Sequence, residues 1–127
     1  MLLTLLQARL HRVRVTQSDL HYEGSCGIDA ALLDASGMRA NQHIDLYDVN
    51  NGERFSTCII EAPRGSGTIS LNGAAAHMAL PGDVLIIGAY SQYGETEAER
   101  HEAVVVCVDE HNRALPQAPH VDPTRSA

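Results

Sequence analysis

Two runs of alternating polar and apolar residues, His43 to Val49 and Arg54 to Glu61 (RFSTCIIE), stand on either side of Asn51-Gly52. Asn-Gly readily takes the left-handed backbone of a tight hairpin turn, so the segment predicts two antiparallel strands. The same alternation in His11 to Thr16 (HRVRVT) predicts another strand with one buried face. Asp83 to Tyr90 is an almost continuous apolar run, as in a strand buried on both faces, and Thr68 to Leu71 and Ala103 to Val108 add shorter strands. Helical signals are brief. Asp29 precedes AALLDASG, where its carboxylate can cap the first turn and Gly37 can end the helix in the left-handed conformation. NGAAAH (Asn72 to His77) suits a single helical turn, and residues 95–101 (ETEAERH) suit a short exposed helix.

Short strands separated by turns, at Pro63 to Gly67 and Pro81-Gly82 among others, predict a small closed β-barrel, because closure removes unpaired edges. Its core must be aliphatic, since 44% of the chain is hydrophobic but only 4% aromatic, with one Phe and no Trp. A length of 127 residues suits one domain. We expect that domain over residues 1–112, with a flexible tail over 113–127, where Pro and polar residues dominate.

Several function classes fall away. A net charge of -7 and the lack of any basic run argue against nucleic acid as a partner. No stretch approaches the roughly 20 apolar residues of a membrane-spanning helix. MLLTLLQARLHR leads into charged, strand-like sequence, so a soluble cytoplasmic protein is expected. Cys26, Cys58 and Cys107 lack zinc-like spacing and the His residues form no HxxxH or HxH pair, so no metal site is expected and the thiols read as reduced. All nine basic residues are Arg. Pyridoxal phosphate needs a Lys for its Schiff base, so that cofactor is excluded.

Alternation breaks at SDLHYEGSCG, where Gly24 and Gly27 flank Ser25 and Cys26 and predict a tight turn. A Ser nucleophile there needs only a neighbouring carbonyl presented at a strained angle, which Gly24 tolerates. Singly, such features are commonplace: Gly-Ser is usually a turn, and His11 and His21 read as surface or structural residues. Their order and spacing are far more specific. LHRVRVTQSDLHYEGSCGID, then NGERFST, then RGSGTISLNGAAAH, closely resembles the bacterial pyruvoyl-dependent aspartate decarboxylase family from about Leu6 to Gly88.

That resemblance implies a six-stranded double-psi β-barrel, assembled as a homotetramer and made as an inactive proenzyme. It implies self-cleavage between Gly24 and Ser25, giving chains 1–24 and 25–127, with Ser25 converted to a covalent pyruvoyl group. The implied reaction is decarboxylation of L-aspartate to β-alanine and CO2, feeding pantothenate and coenzyme A synthesis. Whether cleavage is spontaneous or needs a maturation helper protein stays open. A pyruvoyl carbonyl would also explain how a chain without Lys runs amino-acid decarboxylation, by supplying the electron sink that the resulting carbanion requires.

Tyr22, Glu23 and Thr57 are the nearby groups expected to assist cleavage, and the family counterpart of Thr57 polarises the Gly24 carbonyl. Arg54 matches the residue that holds a substrate carboxylate, and Arg9 stands where the family usually has Lys. Asn72, Gly73, Ala74 and Ala75 match the segment that contacts the pyruvoyl group and substrate. Cys58 departs from the pattern, which has there the Tyr that returns a proton to the substrate carbon. A thiol, with a reference pKa of about 8.5 against about 10 for a phenol, can donate a proton but is much shorter. Three outcomes stay open: Cys58 donates directly, water or a side chain such as Tyr22 replaces it, or substrate or activity has changed. Alternatives to aspartate decarboxylation are therefore a pyruvoyl decarboxylase for another small amino acid, or a weakly active or non-enzymatic barrel paralogue in which Cys58 is a small apolar strand residue.

Overall fold

The computed structural model describes residues 1–116. Along the chain run β1 (Leu2–Arg14), β2 (Gln17–Asp19), β3 (Ser25–Asp29), α1 (Ala30–Ser36), β4 (His43–Asp48) and β5 (Arg54–Ala62). They are followed by β6 (Ile69–Asn72), a 3-10 helix (Gly73–His77), β7 (Val84–Gly94), α2 (Glu95–Arg100) and β8 (Val104–Cys107). The strands form one mixed sheet in the order β2-β6-β3-β5-β4-β7-β1-β8. The expected mainly β architecture is present, and among the described residues the sheet has eight strands.

Local chemistry accounts for much of this. The β4–β5 hairpin turns at Asn51-Gly52, with Gly52 at φ 78°, while the Asp48 carboxylate accepts the Asn50 and Asn51 N–H groups. Asp29 caps α1 through Ala31 N–H at 2.8 Å, and Gly37 ends it at φ 78°. The same Asp29 carboxylate accepts Gly65 N–H and Gly67 N–H, both at 2.9 Å, and so ties the end of β3 to the turn before β6. Leu10, Ile28, Ile44, Ile59, Leu71 and Ile87 are completely buried in an aliphatic core, each contributing about 1.5–3 kcal/mol of apolar burial. β7 pairs with both β4 and β1 and is buried from Val84 to Ala89 except for half-buried Ile86, as its apolar run predicts.

Three elements differ from the sequence expectation. β1 begins at Leu2 and not near His11, because Leu2 to Leu6 continue the antiparallel ladder with β7 out to Gly94. The ladder slips between His11 and Val13, where Arg12 sits at φ 65° as a bulge. Residues 17–19, read as part of a turn, form β2 against β6. Ser25 likewise opens β3, all of whose residues are buried, and the bend lies just before it. At the other end, Ala114 bridges Val108 and Leu115 N–H donates to Cys107 O. The rest of the expected tail lies outside the described residues.

Candidate active site

β3 lies between β6 and β5, so its first residue meets side chains from both neighbours. The antiparallel register sets Ser25 opposite Asn72. Ser25 is 2% exposed; its Oγ donates to Glu23 O at 3.0 Å and accepts from Asn72 Nδ2 at 3.1 Å. The hydroxyl is therefore fixed between Asn72 and the carbonyl of Glu23, the residue before Gly24.

Gly73 follows with φ 66°, and a Cβ at that position would lie 2.8 Å from Gly24 Cα and 2.9 Å from Gly24 N. No other residue fits without moving the backbone. From β5, Cys58 Sγ donates to Gly24 O at 3.9 Å, a long, weak thiol hydrogen bond. Thr57 stands differently. The register pairs it with Ile44 and its neighbour Phe55 with Leu46, placing Thr57 on the core-facing side of β5. Cys58 points the other way, paired with His43, and supplies the bond expected from Thr57.

Gly24, Ser25, Cys58, Asn72 and Gly73 are thus brought together. Tyr22 lies in the adjoining bend with 55% of its surface exposed, and its carbonyl packs near Gly73. Ala74 is exposed and Ala75 half-buried in the 3-10 helix. Arg54 and Arg9 occupy another region. Arg54 is exposed at the start of β5, about 13 Å along the strand from Cys58 at about 3.3 Å per residue. Its guanidinium stacks 5.0 Å above the centre of the Tyr47 ring. Arg9, between buried Ala8 and Leu10, lies on that same outer face, opposite Gly88 of β7.

Sequence reasoning overlooked two groups here. Tyr47 and Tyr90 place their hydroxyl oxygens 3.3 Å apart. That hydrogen bond, then burial and the charge of Asp45, push Tyr47 up to about 12, with Arg54 opposing. Only their shared outward parity on two strands signals them, and pairing across 43 residues needs the fold. Cys26, next to Ser25, is pushed up to about 12 by burial and stays a thiol.

Fold and site together define a small mainly β domain organised around one of its own peptide bonds, with a buried serine hydroxyl beside it. A family model described as aspartate decarboxylase matches residues 1–115. Aspartate 1-decarboxylase of Bordetella avium (strain 197N) is 61% identical over 109 residues, covering 86% of this chain and 89% of the relative. That of Maricaulis maris (strain MCS10) is 52% identical over 93% of this chain and 99% of its own length. That of Methylococcus capsulatus (strain ATCC 33009 / NCIMB 11132 / Bath) is 50% identical over 98% of each. The chain belongs to the aspartate decarboxylase family.

Proposed function

We propose that this chain is a self-processing lyase that decarboxylates L-aspartate to β-alanine and CO2 in the cytoplasm, after converting Ser25 to a pyruvoyl group. Family membership supports the activity, and the observation that carries the processing is the Ser25 hydroxyl held by Asn72 beside the Gly24 peptide. We read the eight-stranded sheet as curling into the double-psi barrel of the family.

Cleavage begins when Ser25 Oγ attacks the Gly24 carbonyl carbon and the peptide C–N bond breaks, leaving an ester on Oγ and a free amine on Ser25. Cys58 S–H donates to the carbonyl oxygen, where negative charge develops, and Asn72 orients Oγ. Loss of the Ser25 α-proton then expels residues 1–24 as a carboxylate. Water adds to the dehydroalanine left behind and ammonia departs, which leaves the carbonyl. Asn72 and Gly73 suit that group, one with an amide donor in place and the other with no side chain in its path. Once formed, it supplies the electron sink for carbon dioxide loss.

Arg54 and Arg9 hold the substrate carboxylates. Arg54, exposed, and Arg9, half-buried, share the outer face and do not lie beside Ser25, which suits a site completed by a second copy within the homotetramer of the family. Incubation of purified protein with L-aspartate tests the reading: β-alanine and carbon dioxide should appear in equal amounts. No product from aspartate, with release from another small amino acid in a panel, would transfer the reading to the alternative that Cys58 and Arg9 raise.

A further inference from the structure

The family places a Tyr acid at the position of Cys58, where this chain has only a short thiol, so a longer phenol beside the substrate arginines becomes the acid to look for. On the outer face the two arginines that hold carboxylates flank a phenol pair. Arg54 faces Tyr47 across β5 and β4, and Arg9 faces Gly88 across β1 and β7. The Tyr90 ring lies over Gly88: a Cβ there would be 3.2 Å from Tyr90 Cε2 and 3.5 Å from its hydroxyl oxygen. The hydroxyls of Tyr90 and Tyr47 meet at 3.3 Å, with the Arg54 guanidinium stacked on the Tyr47 ring.

Resting on the reading above, we propose that Tyr47 is the acid that protonates the substrate carbon, with Tyr90 as its positioning residue. Tyr47 O–H breaks as the new C–H bond forms, and the phenolate left behind accepts a hydrogen bond from Tyr90 while Arg54 offsets its charge. Solvent then restores the proton. The charged and titratable groups around Tyr47 are Tyr90 from β7, Asp45 from its own strand and Arg54 from β5. The Tyr90 ring stands over Gly88, with Leu6 beside it, because no Cβ competes for that space, so the pair and its glycine form one construction.

The experiment compares wild type with Tyr47→Phe and Tyr90→Phe, both of which keep the ring under Arg54 or over Gly88. All three should cleave equally into 1–24 and 25–127. Tyr47→Phe should then lower kcat for aspartate by about 100-fold with little change in KM, in the range of a lost general acid. Tyr90→Phe, which removes the donor to the phenolate, should lower kcat less and likewise leave KM little changed. A readout independent of turnover is ultraviolet titration of tyrosinate with and without succinate, a dicarboxylate without the amine. Succinate should perturb the phenol pair in wild type but not in Arg54→Ala. Wild-type kcat in cleaved Tyr47→Phe, or a phenol pair blind to succinate, would overturn the proposal. Failure of wild type itself to act on aspartate would overturn the functional reading instead, and the succinate titration would still decide whether the patch takes a dicarboxylate.

Discussion

Ser25 is enclosed, with a donor and an acceptor on its hydroxyl and backbone packed against its neighbour, whereas Arg54 stands in the open with an aromatic ring beneath it. The contrast fits the roles proposed for the two regions. Cutting one's own chain is intramolecular, so its groups gain most from being fixed in advance, and burial by β6 and β5 does that. Holding a small dicarboxylate requires access from solvent, so the cations stay outside the core. Cys58 belongs to the first region through its bond to Gly24 O, although its strand also carries Arg54. On the proposal above, loss of the family Tyr at position 58 leaves an acid in the outer region.

The largest effect expected on the enclosed region alone comes from Gly73→Ala. Its Cβ would press on Gly24 Cα at 2.8 Å, at a φ of 66° that disfavours any side chain. Self-cleavage followed by intact mass should be slowed at least tenfold, with about 1–3 kcal/mol lost from stability in denaturant melts. Wild-type cleavage in this variant would show that the close approach at Gly24 has no part in processing.

Asn72→Ala should act more narrowly, slowing cleavage by about tenfold, the equivalent of about 1.4 kcal/mol from one oriented hydrogen bond, while the fold persists. A cleavage half-life unchanged within twofold would separate Ser25 activation from Asn72. Loss of the fold would make Asn72 a structural residue first.

The smallest effect is remote from both regions. Burial alone would raise Asp29, but the N–H groups of Ala31, Gly67 and Gly65, together with Arg64, outweigh it and hold its carboxyl below the usual range. A carboxylate lowered on folding stabilises above its unfolded pKa of about 3.9 and loses that contribution as pH falls through the folded value. Stability should therefore decline in acid, and Asp29→Asn should cost about 1–2 kcal/mol at neutral pH while flattening that decline. An equally steep acid decline in the variant would assign the pH dependence elsewhere.

What was legible in the sequence was mostly local. Asp29 as a cap, Gly37 as a helix end, Asn51-Gly52 as a hairpin and Asp83 to Tyr90 as a buried strand each follow from chemistry within a few residues, and each is present. The start of β1 was hidden because Leu2 to Leu6 do not alternate; β7 supplies the pairing that makes them a strand. The glycines around Ser25 favour a turn, but pairing with β6 and β5 overrides that preference. Which of Thr57 and Cys58 meets Gly24 depends on the parity of β5, set by its register against β4. The composition of the site was visible as a family pattern, while its division into a buried processing centre and an outer phenol and arginine patch was not.

The central claim is that Ser25 cuts its own chain and becomes the cofactor. Intact-mass measurement of purified wild-type protein tests it most directly. Two species are expected, residues 1–24 and residues 25–127, the latter with a pyruvoyl terminus that Ser25→Ala abolishes together with cleavage. A single uncut chain that nonetheless releases carbon dioxide from aspartate would contradict it.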